Sequence, residues 1–231
     1  MAAAAAVDLG TYSVIANKMP RPVQEVIGTV TVIDGERLQN EVAQDIQQAL
    51  RYEPGISVSR DGARFGISGY NIRGVTGNRV QIEMDGIPIP NGFRVGSFSN
   101  AGRDLVDVEL LSRVEILRGP ASALYGSDAI GGVVAYSTWD PEDFLWRVDD
   151  DSYLGLRGGY FSVDDSWVGT VTGAGESGNW QGMVLFSARD GRERENNGNI
   201  PSNPADFNTQ NLLAKVIYDA SGKPLRFTLQ G

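Results

Sequence analysis

The side chains that carry most enzyme chemistry are missing from this sequence; glycine, arginine and carboxylates remain. Among 231 residues there is no cysteine and no histidine. No disulfide, thiolate nucleophile, imidazole metal site or histidine-based triad can therefore be assembled. The acidic runs Asp149-Asp150-Asp151 and Asp164-Asp165 lack the spacing of an EF-hand loop and read as solvated turns. No carboxylate pair is placed for acid–base catalysis, and we read no enzyme and no metal site. The most informative stretch is Val114 to Val134, VEILRGPASALYGSDAIGGVV. A strand delivers Arg118 to a Gly119-Pro120 turn, and a short helix over Ala121 to Tyr125 follows. Tyr125-Gly126 and Gly131-Gly132 then let backbone approach backbone. Glycines ahead of a helix are also how a phosphate is cradled, but neither the P-loop spacing with its lysine nor a G-x-G-x-x-G is present here.

The elements that position these residues fall into two regions of different hydrophobic period. Up to about Trp146, helix and strand signals mix. Gly28 to Ile33 alternates as a strand and ends at Asp34-Gly35. Leu38 to Tyr52 reads as one helix with Val42, Ile46, Ala49 and Leu50 on a single face. Val80, Ile82 and Met84 alternate with Gln81, Glu83 and Asp85, and Asp85-Gly86 turns tightly. Leu105 to Leu111 reads as helical, and Val114 to Leu117 and Gly131 to Tyr136 as strands. After Trp146 the chain is nearly all strand: Leu154, Leu156 and Tyr160, then Trp180, Val184 and Phe186, then Leu212, Val216 and Tyr218, then Leu225, Phe227 and Leu229 each mark one apolar face. Segments of about ten residues with one apolar face are the weak signature of a transmembrane β-barrel. A soluble β-sandwich with one wet face gives the same alternation, and pattern alone favours it.

Charge and length narrow the partners. Twenty basic and 29 acidic residues give a net charge of −9, with only three lysines. That argues against a phosphate-backbone binder. No apolar run reaches the ~18–20 residues of a membrane-spanning helix. Met1 to Val7 has neither the basic start nor the apolar length of a signal peptide and reads as a tail. The strand signals after Trp146 fall short of the eight or so of the smallest membrane barrels, so the barrel reading implies a truncated chain.

An ordered series of motifs then resembles the plug domain of TonB-dependent outer-membrane receptors of Gram-negative bacteria. Thr11 to Ala16 (TYSVIA) with Arg21-Pro22 resembles the TonB box and the segment behind it. Asp45 to Leu50 with Pro54-Gly55-Ile56, then Asn71-Ile72-Arg73-Gly74, Asn78-Arg79-Val80 and Asp85-Gly86, resemble the middle of the plug. Val114 to Gly132 resembles its close. The resemblance covers about Tyr12 to Tyr136 and reverses the preference for a sandwich. It implies an α+β plug domain followed by antiparallel strands of a truncated transmembrane β-barrel. The divisions are a tail at 1–19, a plug at 20–146 and barrel strands at 147–231. In the family the plug fills a barrel of about 22 strands. Asp85 to Leu145 is most similar to haem and haemoglobin receptors.

The resemblance carries expectations residue by residue. Thr11, Tyr12, Ser13, Val14, Ile15 and Ala16 are the handle for the TonB protein of the inner-membrane energy complex, engaged by strand addition. Arg73, Arg79, Glu115 and Arg118 are charges between plug and barrel wall, with ion pairs inside the plug as the alternative. Gly74, Asp85, Gly86, Gly119, Pro120, Tyr125, Gly126, Gly131 and Gly132 are plug turns. Phe93, Arg94 and Phe98 in the loop Pro88 to Gly102, with Tyr70 second, face the ligand. That loop has no histidine, where the haem receptors place one. The implied partners are TonB, outer-membrane lipid and an iron-bearing ligand: haem, a haemoprotein or a siderophore. No resident cofactor and no nucleic acid are implied. The reading from another class is a soluble plug-like binding module without transport.

Overall fold

Valine- and isoleucine-rich runs, which suit a pleated and half-buried surface, build the first of two units. The computed structural model describes residues 12–13, 15, 19, 21–22, 25, 28–60, 68–95, 99–101, 106–148, 150–193, 204, 206–220 and 222–231. The chain divides into Met1–Thr138 and Trp139–Gly231.

In the first unit, β1 (Tyr12–Ser13) pairs with β2 (Arg21–Pro22). There follow β3 (Thr29–Asp34), α1 (Gly35–Asn40), α2 (Ile46–Ala49), β4 (Ile56–Arg60), β5 (Ser68–Ile72) and β6 (Val75–Thr76). Next come β7 (Val80–Met84), β8 (Ile87–Pro88), β9 (Phe93–Val95), β10 (Ser99–Ala101), β11 (Leu111–Arg118), α3 (Ser122–Tyr125) and β12 (Gly132–Thr138). The central sheet runs β3-β11-β12-β7-β8, with only β12 and β7 parallel. Register puts Ile33, Val114, Ile116, Val134, Tyr136, Val80 and Ile82 on one face. The main core lies against it, closed by Leu38, Ile46 and Leu50 from the helices and by Val58, Tyr70 and Ile72 from the β4-β5-β6 sheet. The opposite face carries Leu117 and Val133 but also Glu115, Gln81 and Glu83, all of them buried.

Two local expectations are corrected. The helix expected over Leu38 to Tyr52 is two short ones, each capped by an aspartate: Asp34 accepts from the Arg37 amide and Asp45 from the Gln48 amide. Between them Val42 takes a positive φ of 51° and stands 59% exposed, so it is no part of the core face. Two side-chain caps satisfy backbone donors that one continuous helix would satisfy internally. In place of a helix up to Leu111, a 3-10 turn covers Val108–Leu110 and β11 begins at Leu111. With φ of 50° and 86°, Arg73-Gly74 is the two-residue turn between the paired Ile72 and Val75. Asp85-Gly86, at 48° and 79°, makes the same turn between Met84 and Ile87, as its sequence implies.

The second unit begins with α4 (Pro141–Val148). A five-stranded antiparallel sheet follows in simple order: β13 (Ser152–Phe161), β14 (Ser166–Ser177), β15 (Trp180–Gly191), β16 (Phe207–Tyr218) and β17 (Leu225–Gln230). The unit boundary falls ahead of α4, which packs against β13, β14 and β15. Phe144 stacks on Tyr153 at 5.1 Å, and Asp140 accepts from Lys215 Nζ at 2.9 Å and pairs with Arg226.

Candidate functional site

Glu115 is the best-connected candidate residue. Its place on β11, with Ala135 opposite on β12 and Glu83 beyond on β7, puts two carboxylates on the second face of the first sheet. Burying an ionised carboxylate is costly unless hydrogen bonds compensate it. Here they come from the N-terminal segment. Ser13 Oγ donates to Glu115 Oε2 at 2.8 Å and the Ile15 amide donates to the same oxygen at 3.2 Å. Arg113 Nη1 lies 3.5 Å from the carboxylate and donates to the Tyr12 carbonyl at 3.1 Å. Tyr125 hydroxyl donates to the Ile15 carbonyl at 2.6 Å. The Ile15 side chain is buried among Leu117, Ala121, Ala129 and Val133. Burial, then the charges of Glu83 and Glu115, push the Tyr125 phenol well above its ordinary range, so it stays a donor. The structure thus brings Tyr12, Ser13 and Ile15 together with Glu115 and Tyr125. Thr11, Val14 and Ala16 lie outside the described residues.

The four charges expected at the plug wall all bond within the first unit. Arg118 reaches Thr31 Oγ1 and lies 3.5 Å from Glu53, which also pairs with Arg37 at 3.1 Å. Burial, with Arg73 nearby, lowers the Arg118 pKa from its ordinary value, against the pull of Glu53. Arg73 donates to Thr29 Oγ1 at 3.0 Å and Arg79 to the Thr76 carbonyl at 3.1 Å.

Of the expected turn residues, Gly119 and Gly126 take φ of 123° and 85° around α3, with Pro120 between β11 and α3. Gly131 and Gly132 pass so close to their neighbours that a Cβ would meet Val75 Cγ1 at 2.6 Å and the Leu117 carbonyl oxygen at 2.3 Å.

The ligand-facing set is corrected at one position. Tyr70 is 2% exposed and its hydroxyl bonds that of Tyr136 inside the main core, so it is a packing residue. Phe93 and Arg94 lie on β9, paired with β10; Phe98 is outside the described residues. Asp164, read as a solvated turn, is instead buried: Arg189 binds it at 2.9 Å and Ser166 Oγ donates to it at 2.6 Å. Sequence reasoning also missed Asp140 and Lys215. The one signal for them was a lysine on the β16 face that otherwise carries Leu213 and Ile217. No group of three or more metal-binding side chains is found among the described residues.

The second unit exposes its apolar face. Register aligns Leu154, Leu156 and Tyr160 with Val171 and Trp167, then Val184 and Phe186, then Leu212 and Val216, then Phe227 and Leu229. All of these side chains are large and solvent-facing. The opposite face carries Arg157, Thr170, Thr172, Ser187, Arg189 and Lys215. Aromatic pairs mark both ends of the apolar band: Tyr160 on Trp167 at 4.7 Å, and Trp180 on Tyr218 at 4.6 Å. About ten residues at ~3.4 Å each, tilted as barrel strands are, match a lipid-facing band about 25 Å tall between aromatic girdles. No helix among the described residues is long and apolar enough to cross a membrane.

Comparison with known proteins agrees with this division. The TonB-dependent Receptor Plug Domain matches residues 22–133. Two curated relatives from Haemophilus influenzae are a probable hemoglobin and hemoglobin-haptoglobin-binding protein, 36% identical over 72% of this chain and 17% of its own length, and a hemoglobin-binding protein, 34% identical over 79% and 18%. The chain thus spans less than a fifth of the curated relatives it matches. The Serratia marcescens hemophore receptor HasR, solved with its hemophore and heme, shares the fold with a TM-score of 0.74 at 24% identity, covering 88% of this chain and 31% of that one. The Pseudomonas aeruginosa ferripyoverdine receptor does so with a TM-score of 0.70 at 20% identity, covering 95% and 27%. The receptors of this family are outer-membrane proteins of Gram-negative bacteria. With a plug sheet ahead of a lipid-facing antiparallel sheet, this chain belongs to the TonB-dependent receptors and carries their plug domain and strands of their barrel.

Proposed function

We propose that this chain is the plug and barrel-strand part of an outer-membrane receptor that takes up an iron-bearing ligand, haem or a haemoprotein, with energy delivered through TonB. The observation that carries the ligand class is the 36% identity over 72% of the chain to a probable haemoglobin-binding receptor. In this reading Tyr12 to Ile15, with Thr11 and Ala16, form the handle that TonB engages by strand addition. The Arg73, Arg79, Glu115 and Arg118 set belongs to the contact between plug and barrel wall. Phe93 and Arg94, with Phe98, meet the ligand; arginine and aromatic rings together suit a flat anionic porphyrin. The sequence has no histidine, so any histidine bound to haem iron comes from outside these 231 residues.

The test is growth on haemoglobin as the sole iron source in cells whose only haem route is the receptor bearing this plug. Growth that depends on TonB supports the reading. Val14→Pro removes a backbone donor from the handle and should abolish growth while haemoglobin still binds the cell surface. Growth on a ferric siderophore but not on haemoglobin would replace haem by the siderophore alternative.

A further inference from the structure

We propose that Asn91-Gly92 is a self-modifying site: the Asn91 side chain converts without an enzyme to aspartate and isoaspartate, Asp128 restrains the rate, and the product frees the loop from the turn that holds it.

The chemistry needs only the dipeptide and water. The Gly92 backbone nitrogen attacks the Asn91 side-chain carbon Cγ and gives up its proton. The side-chain nitrogen leaves as ammonia, and a five-membered succinimide remains. Water then opens that ring at either carbonyl, giving aspartate or isoaspartate. Glycine has no side chain to shield its nitrogen from the attack. Asn91 is exposed to the water that completes the reaction. Asn197-Gly198 repeats the residue pair but lies outside the described residues.

Contacts give Asn91 its control. Its Nδ2, the atom that must leave, donates to Asp128 Oδ2 at 3.0 Å. Ser127 Oγ donates to the other oxygen of that carboxylate at 3.2 Å. One residue on, the Gly92 carbonyl accepts from Asn78 Nδ2 at 2.9 Å. The dipeptide between β8 and β9 is thus held by the turn after α3 and by the 3-10 turn Gly77–Arg79 ahead of β7. Cyclisation must swing the Asn91 side chain onto its own following nitrogen, so the bond to Asp128 has to break first. A charged acceptor makes that bond stronger than a neutral one. Asp128 is therefore the brake. Once the reaction has run, the donor is gone and a carboxylate at position 91 faces the carboxylate of Asp128, so attraction becomes repulsion. Isoaspartate also adds a methylene to the main chain two residues ahead of β9. Any consequence for Phe93 and Arg94 as ligand contacts rests on the function proposed above; the modification does not.

The full chain is aged in detergent micelles at mildly alkaline pH and mapped by mass spectrometry with fragmentation that separates isoaspartate from aspartate. Isoaspartate should accumulate at position 91. In the folded chain Asp128→Ala should speed that accumulation at least threefold and leave position 197 unchanged. In urea, where no contact survives, variant and wild type should convert equally. Equal rates at position 91 in the folded wild type and Asp128→Ala overturn the proposal, as does an Asn91 that converts neither folded nor in urea. A second measurement tests the product. The Ala129 amide donates to the Gly126 carbonyl at 3.2 Å across the turn that carries Asp128. Asn91→Asp should speed exchange of that amide at least threefold, and adding Asp128→Asn, which returns a donor opposite the new carboxylate, should restore it. An Ala129 rate unchanged in Asn91→Asp also overturns the proposal. Neither arm contains haem or haemoglobin, so failure of the modification and failure of the ligand reading are told apart.

Discussion

Asp85 holds Thr138 with both oxygens of its carboxylate: the Thr138 amide donates to Oδ1 at 2.9 Å and the Thr138 hydroxyl to Oδ2 at 2.6 Å. The hairpin turn after β7 thereby fastens the last residue of the parallel strand β12. Asp140, two residues on, is held by Lys215 and Arg226 of the second unit. Each unit secures its own side of the junction.

Replacing Asp85 tests that clamp. Asp85→Ala loses two bonds to a charged acceptor and leaves a non-glycine residue at φ 48°, which together should cost the first unit about 3 kcal/mol. Asp85→Asn tolerates the same backbone and retains one acceptor, for a cost of about 1 kcal/mol. Amide exchange along β12 in urea reads both. An alanine variant as stable as wild type would show that the clamp holds nothing.

The outward face of the second sheet should behave as lipid-facing. Val184, opposite Gly173 and Ala214, lies mid-band; Asn208, opposite Asp190, lies in register with the Tyr160–Trp167 pair on the same face. In the receptor folded into bilayers, Val184→Arg should cost about 2–4 kcal/mol and Asn208→Arg about 0–1 kcal/mol. Equal costs in urea unfolding would mean that depth in a membrane is not what distinguishes them.

Asp143 on α4 is predicted to make stability fall as pH rises from acid. Burial raises its pKa above the ordinary 3.8, outweighing the backbone hydrogen bond from Asp140; Asp140's charge raises it further, while Lys215 and Arg147 pull it down. The folded state therefore holds the proton to higher pH than the unfolded chain does. This group's contribution is fully present below pH 3.8 and is lost as pH climbs through the raised folded value. Asp143→Asn keeps an oxygen for the Asp140 amide and removes the titration. The difference in unfolding free energy between variant and wild type should grow from pH 4 to pH 7 in the variant's favour; a constant difference would contradict the shift.

Strand content, the outward apolar stripe and the family motifs were legible in the sequence because each is a local pattern. Period-2 alternation needs no partner to be read: Leu154 to Tyr160 and Leu212 to Tyr218 carry their face in their own spacing. Asp85-Gly86 announces its turn because few residue pairs adopt two positive φ values in succession. What tertiary structure decided is which residue meets which across long stretches of chain. Glu115 and Ser13 are 102 residues apart, as are no residues that a spacing rule can join. Tyr70 reads as a loop tyrosine until β5 folds back and carries its hydroxyl to Tyr136. Val42 fits a helical face by spacing, yet two aspartate caps satisfy separate helix ends and turn it out to solvent. Lys215 and Asp164 look like surface charges until Asp140 and Arg189 supply the opposite charges that make their burial tolerable. A buried charge depends on a partner that only the folded chain supplies, so no window of sequence contains the reason for it.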